Sequence, residues 1–236
     1  MRDSPRQVNA RLARSLRNHG VLHTLRAARR HLSIFVSRQL DRHFDASFGT
    51  DTRGVVENAA LSDVTSPNLA RGIRYEPTRA LPFRRALRAV GVPSGGAFVD
   101  LGCGKGRALM LAVLCGFEHV TGVDYSEALC TVAERNLDQF RERTRRTFTW
   151  DIRAMDAAEY AFSDGDTVVY LFNPFDAVVL SAVLSRLRQS LERHPRTVWI
   201  VYHNPVWRPT LDNDGAFEHV GTHSSGGCVF AVYRSR

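Results

Sequence analysis

Apolar residues recur along this chain at two spacings, and the change from one to the other marks its elements. Phe98, Val99 and Leu101 form a short apolar run ending beside Asp100. It is followed by Arg107 to Cys115, a segment with almost no polar positions after its first residue. A run of that kind predicts a helix buried against a sheet. His119 to Val123 is the next apolar strand, closed by Asp124. Leu129, Val132, Ala133, Leu137 and Phe140 then keep helical spacing from Glu127 to about Arg143, with Ser126 as N-cap. Thr147 to Ile152 predicts a third strand and Thr167 to Phe172 a fourth, whose β-branched run suits burial on both faces. Asp176 to Leu191 is the following helix, Thr197 to Tyr202 the fifth strand, and Phe217–His223 with Cys228–Tyr233 a closing hairpin. Strands alternating with helices predict an α/β fold around a mostly parallel sheet.

Upstream of this alternation the pattern differs. Leu22, Leu25, Leu32, Phe35 or Val36, and Leu40 fall on one face at steps of three and four, which predicts an amphipathic helix from Ser4 to about Arg42. Gly49, Gly54, Pro67 and Gly72 punctuate the stretch from Asp45 to Tyr75, which reads as a hinge. A helix follows within Tyr75 to Val90, with Pro82 early in it, and Gly91–Gly96 connects it to the first strand. The expected organisation is a helical extension over residues 1–45, a hinge and lid over 46–95, and an α/β domain over 96–236.

Charge sharpens that division. Residues 1–45 hold ten arginines against Asp3, Asp41 and Asp45, a surplus of +7 out of the net +8 for all 236 residues. The rest is nearly neutral, which argues against nucleic acid as the partner of the α/β domain. The basic extension has two readings. One is a helix with a solvated basic side that packs on the domain or on a second copy, giving a homodimer through the N-terminal helices. The other is a nucleic-acid arm or a membrane-surface helix; a transit peptide is a minor third option. Cys103, Cys115, Cys130 and Cys228 lack C-x-x-C spacing, and Met1 to Gly20 lacks the apolar core of a secretory signal. Reduced thiols and a cytoplasmic protein are expected, with no transmembrane segment. No metal site is expected.

The candidate chemistry lies between the first two strands. Asp100 is followed by Gly102, Gly104 and Gly106 at alternate positions, and Asp124 ends the next strand. Glycines let the backbone turn sharply and approach a ligand, and an acid at the end of the second strand can accept hydrogen bonds from ribose hydroxyls. The dinucleotide fingerprint is G-x-G-x-x-G. Here the third glycine comes one residue sooner and Asp100 stands at the entry, which suits a cationic ligand better than a pyrophosphate. The D-x-G-x-G-x-G pattern with strand-terminal Asp124 resembles motif I and the following acidic position of class I S-adenosylmethionine-dependent methyltransferases. That resemblance implies a Rossmann-like seven-stranded, mostly parallel sheet with an antiparallel last strand, and S-adenosylmethionine as cofactor. The segment from Gly72 to about Leu180 is also distantly similar to the non-SET histone-lysine methyltransferases and their bacterial relatives.

The resemblance implies further site residues. Tyr75, Glu76 and Thr78, ahead of motif I, are placed over the cofactor: Glu76 near its ammonium, Thr78 at its carboxylate or as the helix cap. Cys103 and Tyr125 flank the glycines and Asp124. Asp156, followed by Ala157, is the expected partner of the adenine amino group, with Asp151 as the alternative register. LFNPF resembles the [DN]-P-P-[YF] motif of enzymes that methylate amino groups, less one proline, and makes Asn173 the first candidate for orienting the acceptor. His203 is a candidate base. Tyr170 and Tyr202 are read as core residues whose hydroxyls find a buried partner.

The expected activity is methyl transfer from S-adenosylmethionine to a nitrogen or oxygen of a small molecule or protein, leaving S-adenosylhomocysteine. Two other classes stay open: a methyltransferase-like binding protein without turnover, and a dinucleotide-dependent oxidoreductase. The set Asp100, Gly102, Gly104 and Asp124 argues against the first. The glycine spacing argues against the second.

Overall fold

The computed structural model describes residues 32, 39, 41–57, 61 and 66–236. The amphipathic helix expected from Ser4 lies almost wholly outside them. Helix α1 covers residues 41–48, so the boundary expected at residue 45 falls inside a helix. The elements that follow are α2 (Ala80–Ala89), β1 (Ala97–Leu101), α3 (Arg107–Leu114), β2 (His119–Asp124), α4 (Glu127–Thr144), β3 (Thr149–Ala154), β4 (Asp166–Phe172), α5 (Ala177–Arg193), β5 (Trp199–His203), α6 (Arg208–Asp212), β6 (Phe217–Ser225) and β7 (Cys228–Ser235).

The seven strands form one sheet in the order β3-β2-β1-β4-β5-β7-β6. All neighbours from β3 to β5 pair in parallel, while β7 runs antiparallel to both β5 and β6. Side chains alternate across a strand, so each central strand feeds two cores. Phe98, Val168, Tyr170 and Val201 join the cluster under α2, α3 and α4. Val99, Leu101, Val169, Leu171 and Ile200 join the one under α5. Apolar residues at consecutive positions are therefore what a sheet covered on both faces requires.

Two local expectations shift. The third strand runs from Thr149 to Ala154, two residues later than its apolar content suggested, because pairing of Thr121 with Asp151 and Asp124 with Ala154 sets its limits. As an edge strand with mostly exposed side chains, β3 carries little hydropathic signal. Thr78 does not cap α2; Arg79 occupies that position, with no side-chain cap bond. The short α6, unannounced by periodicity, starts with Pro209 in its first turn and buries Leu211. Among the described residues no helix is long and apolar enough to cross a membrane, and all four cysteines are free.

Strand order reverses between β1 and β4, so the chain leaves their carboxyl ends in opposite directions and opens a crevice there.

Candidate active site

The loop after β1 owes its shape to main-chain bonds that only glycines permit at this density. Gly102 and Cys103 both donate N–H to the Val123 carbonyl, at 2.8 and 3.0 Å, and Gly106 donates to Cys103 at 2.9 Å. Asp124 closes the arrangement: one carboxylate oxygen accepts from Gly104 N at 2.9 Å, the other from Ser126 N at 3.0 Å. Gly102 sits at φ +86° and Gly104 at +51°, both left-handed. A β-carbon on Gly102 would come within 2.5 Å of Pro174 Cβ, and one on Gly104 would run into the Tyr75 ring. The glycines thus give room to protein groups that roof the loop.

Beyond the carboxyl ends of β1 and β4 lies a cavity of about 540 Å³. Of the residues expected in the site, Tyr75, Glu76, Thr78, Asp100, Gly102 and Cys103 line it, and so do Asp124, Tyr125, Ala157 and Asn173. Asp100 is 3% exposed. Burial, reinforced by the charge of Asp124, pushes its carboxyl well above the usual carboxylate range. No described side chain or main-chain donor is hydrogen-bonded to that carboxyl. Tyr125 is pushed up to about 12 by burial and by Asp124 beside it.

Residues 99–202, from inside β1 to inside β5, match the family described as a methyltransferase domain. Over that stretch the chain is similar to methyltransferase domains. No curated protein matches the chain. Among solved structures, the Escherichia coli protein yhhF, assigned as a methyltransferase, is similar at 13% identity over 78% of this chain and 99% of that one, with a TM-score of 0.52. An RNA methyltransferase from Salinibacter ruber, in complex with S-adenosyl-L-homocysteine, is 19% identical over 68% of this chain and 94% of that one, with a TM-score of 0.49. The magnesium protoporphyrin IX methyltransferase of Synechocystis, with bound SAM, is 17% identical over 65% and 76%, with a TM-score of 0.47. Identities this low speak to the fold alone, and the two lower scores carry nothing further.

Four expected residues of the methyltransferase domain lie off the cavity. Gly104 is beneath Tyr75, whose hydroxyl donates to the Thr52 carbonyl at 2.7 Å. Gly106 caps α3 against Ala133. Asp156 caps the turn Ala157–Glu159 through Ala158 N at 2.8 Å and accepts from Ser66 Oγ at 2.6 Å and Asn68 Nδ2 at 2.8 Å. Burial raises its carboxyl, but these three bonds outweigh that and hold it below its ordinary value. The alternative, Asp151, is spent on Arg153 at 2.7 Å on the outer face of β3.

His203 corrects an expectation. It is 2% exposed and stacked between Phe172 and Phe230, with ring centroids 3.7 and 4.3 Å away. Its Nδ1 shares a hydrogen bond with the Tyr170 hydroxyl at 2.9 Å, and that hydroxyl shares another with Thr78 Oγ1 at 3.0 Å. Burial, with Arg79 nearby, lowers its pKa to about 3. The ring is neutral and outside the cavity, so it supports Tyr170 and does not serve as a base. The buried partners expected for Tyr170 and Tyr202 are present: the Tyr202 hydroxyl donates to Asn173 Oδ1 at 3.1 Å.

Arg107 escaped the sequence reading. It opens α3, is 2% exposed, and lines the cavity. Its terminal nitrogens reach Thr52 Oγ1 at 3.1 Å, the Asp41 carbonyl at 3.2 Å and the Asp41 carboxylate at 3.0 Å, and its guanidinium lies over the Phe44 ring. Its Nε is buried without a partner. The available signal was a charge at the head of an otherwise apolar helix, which must find an anion somewhere.

Gly104→Ala is expected to displace the Tyr75 ring and to cost about 1–3 kcal/mol, combining overpacking with left-handed strain. Denaturant unfolding checks this; an unchanged midpoint would mean that Tyr75 does not rest on the loop.

Proposed function

We propose that this protein transfers a methyl group from S-adenosylmethionine to an acceptor that is a small molecule or a protein. The observation that carries the reading is the buried Asp100 carboxyl at the wall of the cavity. No described donor reaches that carboxyl, and burial and the charge of Asp124 both work against its ionised form. Buried charges are costly unless matched. A ligand bearing an ammonium matches that carboxyl, as the amino-acid end of S-adenosylmethionine does.

When bound, S-adenosylmethionine supplies a methyl group on a sulfonium, a leaving group that needs no protonation. The chain's own residues bind, orient and seal. Asp100 receives the ammonium, with Glu76 at the exposed rim. Gly104 N and Ser126 N hold the Asp124 carboxylate at the cavity wall, at the end of β2, where a ribose would lie. Ala157 borders the adenine end; Asp156 reaches the adenine amino group once Asn68 gives way. Residues 71–75 close the cavity, since Ile73 N donates to the Pro174 carbonyl at 2.8 Å and Asp176 N to the Arg71 carbonyl at 3.0 Å. Alignment in a dry site is most of what methyl transfer requires. Residues 46–236 carry a net charge near +1, which favours a small-molecule or protein acceptor over nucleic acid.

Calorimetry with three ligands tests the donor. S-adenosylmethionine and S-adenosylhomocysteine are expected to bind and NAD is not. Binding of NAD without either sulfur ligand would replace the reading with that of an oxidoreductase.

A further inference from the structure

His203, Tyr170 and Thr78 form a hydrogen-bonded chain that crosses an aromatic core and ends at the cavity wall. We infer that Tyr170 and His203 are positioning residues: through them the Thr78 hydroxyl is held ready for the amino-acid end of the methyl donor. This rests on the donor reading above.

The chain joins three distant parts of the sequence. Thr78 lies just ahead of α2, Tyr170 is on β4, and His203 ends β5. The Tyr170 hydroxyl is 3.0 Å from Thr78 Oγ1 and 2.9 Å from His203 Nδ1. None of the three residues is more than 5% exposed. Their surroundings are aromatic. The Phe83 ring meets Tyr170 edge-on at 5.2 Å, Phe98 stacks on it at 5.9 Å, and Phe172 and Phe230 enclose the imidazole. Phenylalanine at 170 and 203 would extend that stack without burying a polar group. Packing therefore does not account for the two polar side chains, whereas a bonded buried chain fixes an orientation. Burial keeps the phenol and the imidazole both uncharged. The chain thus brings direction to Thr78 and no charge.

Its open end is beside Asp100. Asp100 on β1 pairs with Tyr170 on β4, so their side chains leave the same face of the sheet from adjacent strands. The two are close enough for the charge of Asp100 to act on the Tyr170 hydroxyl. Thr78 and Asp100 both line the cavity. A ligand held by its ammonium at Asp100 has the rest of its amino-acid end next to Thr78. A hydroxyl already bonded to Tyr170 needs no ordering when that ligand arrives, which removes part of the cost of binding.

The test is a double-mutant cycle in the full chain, read by calorimetry with S-adenosylhomocysteine and with 5′-methylthioadenosine, which lacks the amino-acid end. Tyr170→Phe and Thr78→Val are each expected to weaken S-adenosylhomocysteine about three- to tenfold, the worth of one neutral hydrogen bond, and to leave 5′-methylthioadenosine within about twofold. In the Thr78→Val background, Tyr170→Phe should add less than about twofold, because the hydroxyl it acts through is gone. Should Tyr170→Phe fail to fold, His203→Phe keeps the ring stack and takes its place in the cycle, with the same pattern expected. Equal losses for the two ligands would show a purely structural role and overturn the inference. Additive losses in the cycle, or single variants that bind S-adenosylhomocysteine as wild type does, overturn it as well, and all three outcomes leave the donor standing. Wild type that binds 5′-methylthioadenosine but not S-adenosylhomocysteine, or neither, overturns the donor reading and the inference with it.

Discussion

Asp100→Asn is expected to lose about ten- to a hundredfold in affinity for S-adenosylmethionine, the worth of a buried charge-assisted contact, and to gain stability without ligand. The second half follows from linkage. Burial and the neighbouring Asp124 raise the native pKa of Asp100, so the folded chain holds that proton more tightly than the unfolded chain. Its stabilising effect is fully present below the ordinary carboxylate pKa near 4 and is lost as pH rises through the raised native value. Above that range wild type carries an unsatisfied buried anion, and asparagine does not. Thermal unfolding of the two proteins without ligand should therefore coincide in acid and separate as pH rises, with the variant higher. A variant less stable than wild type at neutral pH would show that Asp100 already has a partner. 5′-Methylthioadenosine, which lacks the amino-acid end, should bind both proteins alike; an equal loss for it would point to a distorted loop and not to a missing ammonium contact.

Arg107→Leu is expected to destabilise the fold by about 3–5 kcal/mol, the usual effect of breaking one side of a buried ion pair. The change strands the Asp41 carboxylate, leaves Thr52 Oγ1 without the guanidinium, and empties the place over Phe44. The loosened part should be residues 41–53, whose other ties to the domain include the Asn136 carboxamide on Asp51 N at 2.8 Å and the Asp51 carbonyl at 3.0 Å. Arg107→Lys should recover little, because one ammonium cannot replace a planar fork with several donors. Chemical denaturation measures the magnitude, and amide exchange over residues 41–53 gives the location. A loss below 1 kcal/mol, or faster exchange spread over the whole sheet, would remove Arg107 as the anchor of this segment.

These two residues divide sharply in how visible they were. Asp100 stood out because its neighbours in the chain carry the pattern: a strand before it, alternate glycines after it, an acid one strand later. Arg107, seven residues on, read as the polar end of a buried helix. Its partners Asp41 and Thr52 are 66 and 55 positions away. The same holds for the acids after β3. Spacing put Asp156 near the adenine end, but its engagement by Ser66, 90 positions earlier, had no local signature.

By itself, then, the sequence determined the order of strands and helices, the glycine loop, the acids that end β1 and β2, and the expectation of a class I methyltransferase fold. Those features rest on backbone preference and side-chain period, which are set by residues a few positions apart. Only the tertiary structure decided that His203 stacks between two phenylalanines, that Arg107 ties residues 41–53 to the cavity, and that a tyrosine on β5 donates to the Asn173 carboxamide. A polar side chain's partner, and with it its charge and orientation, is chosen where distant strands meet.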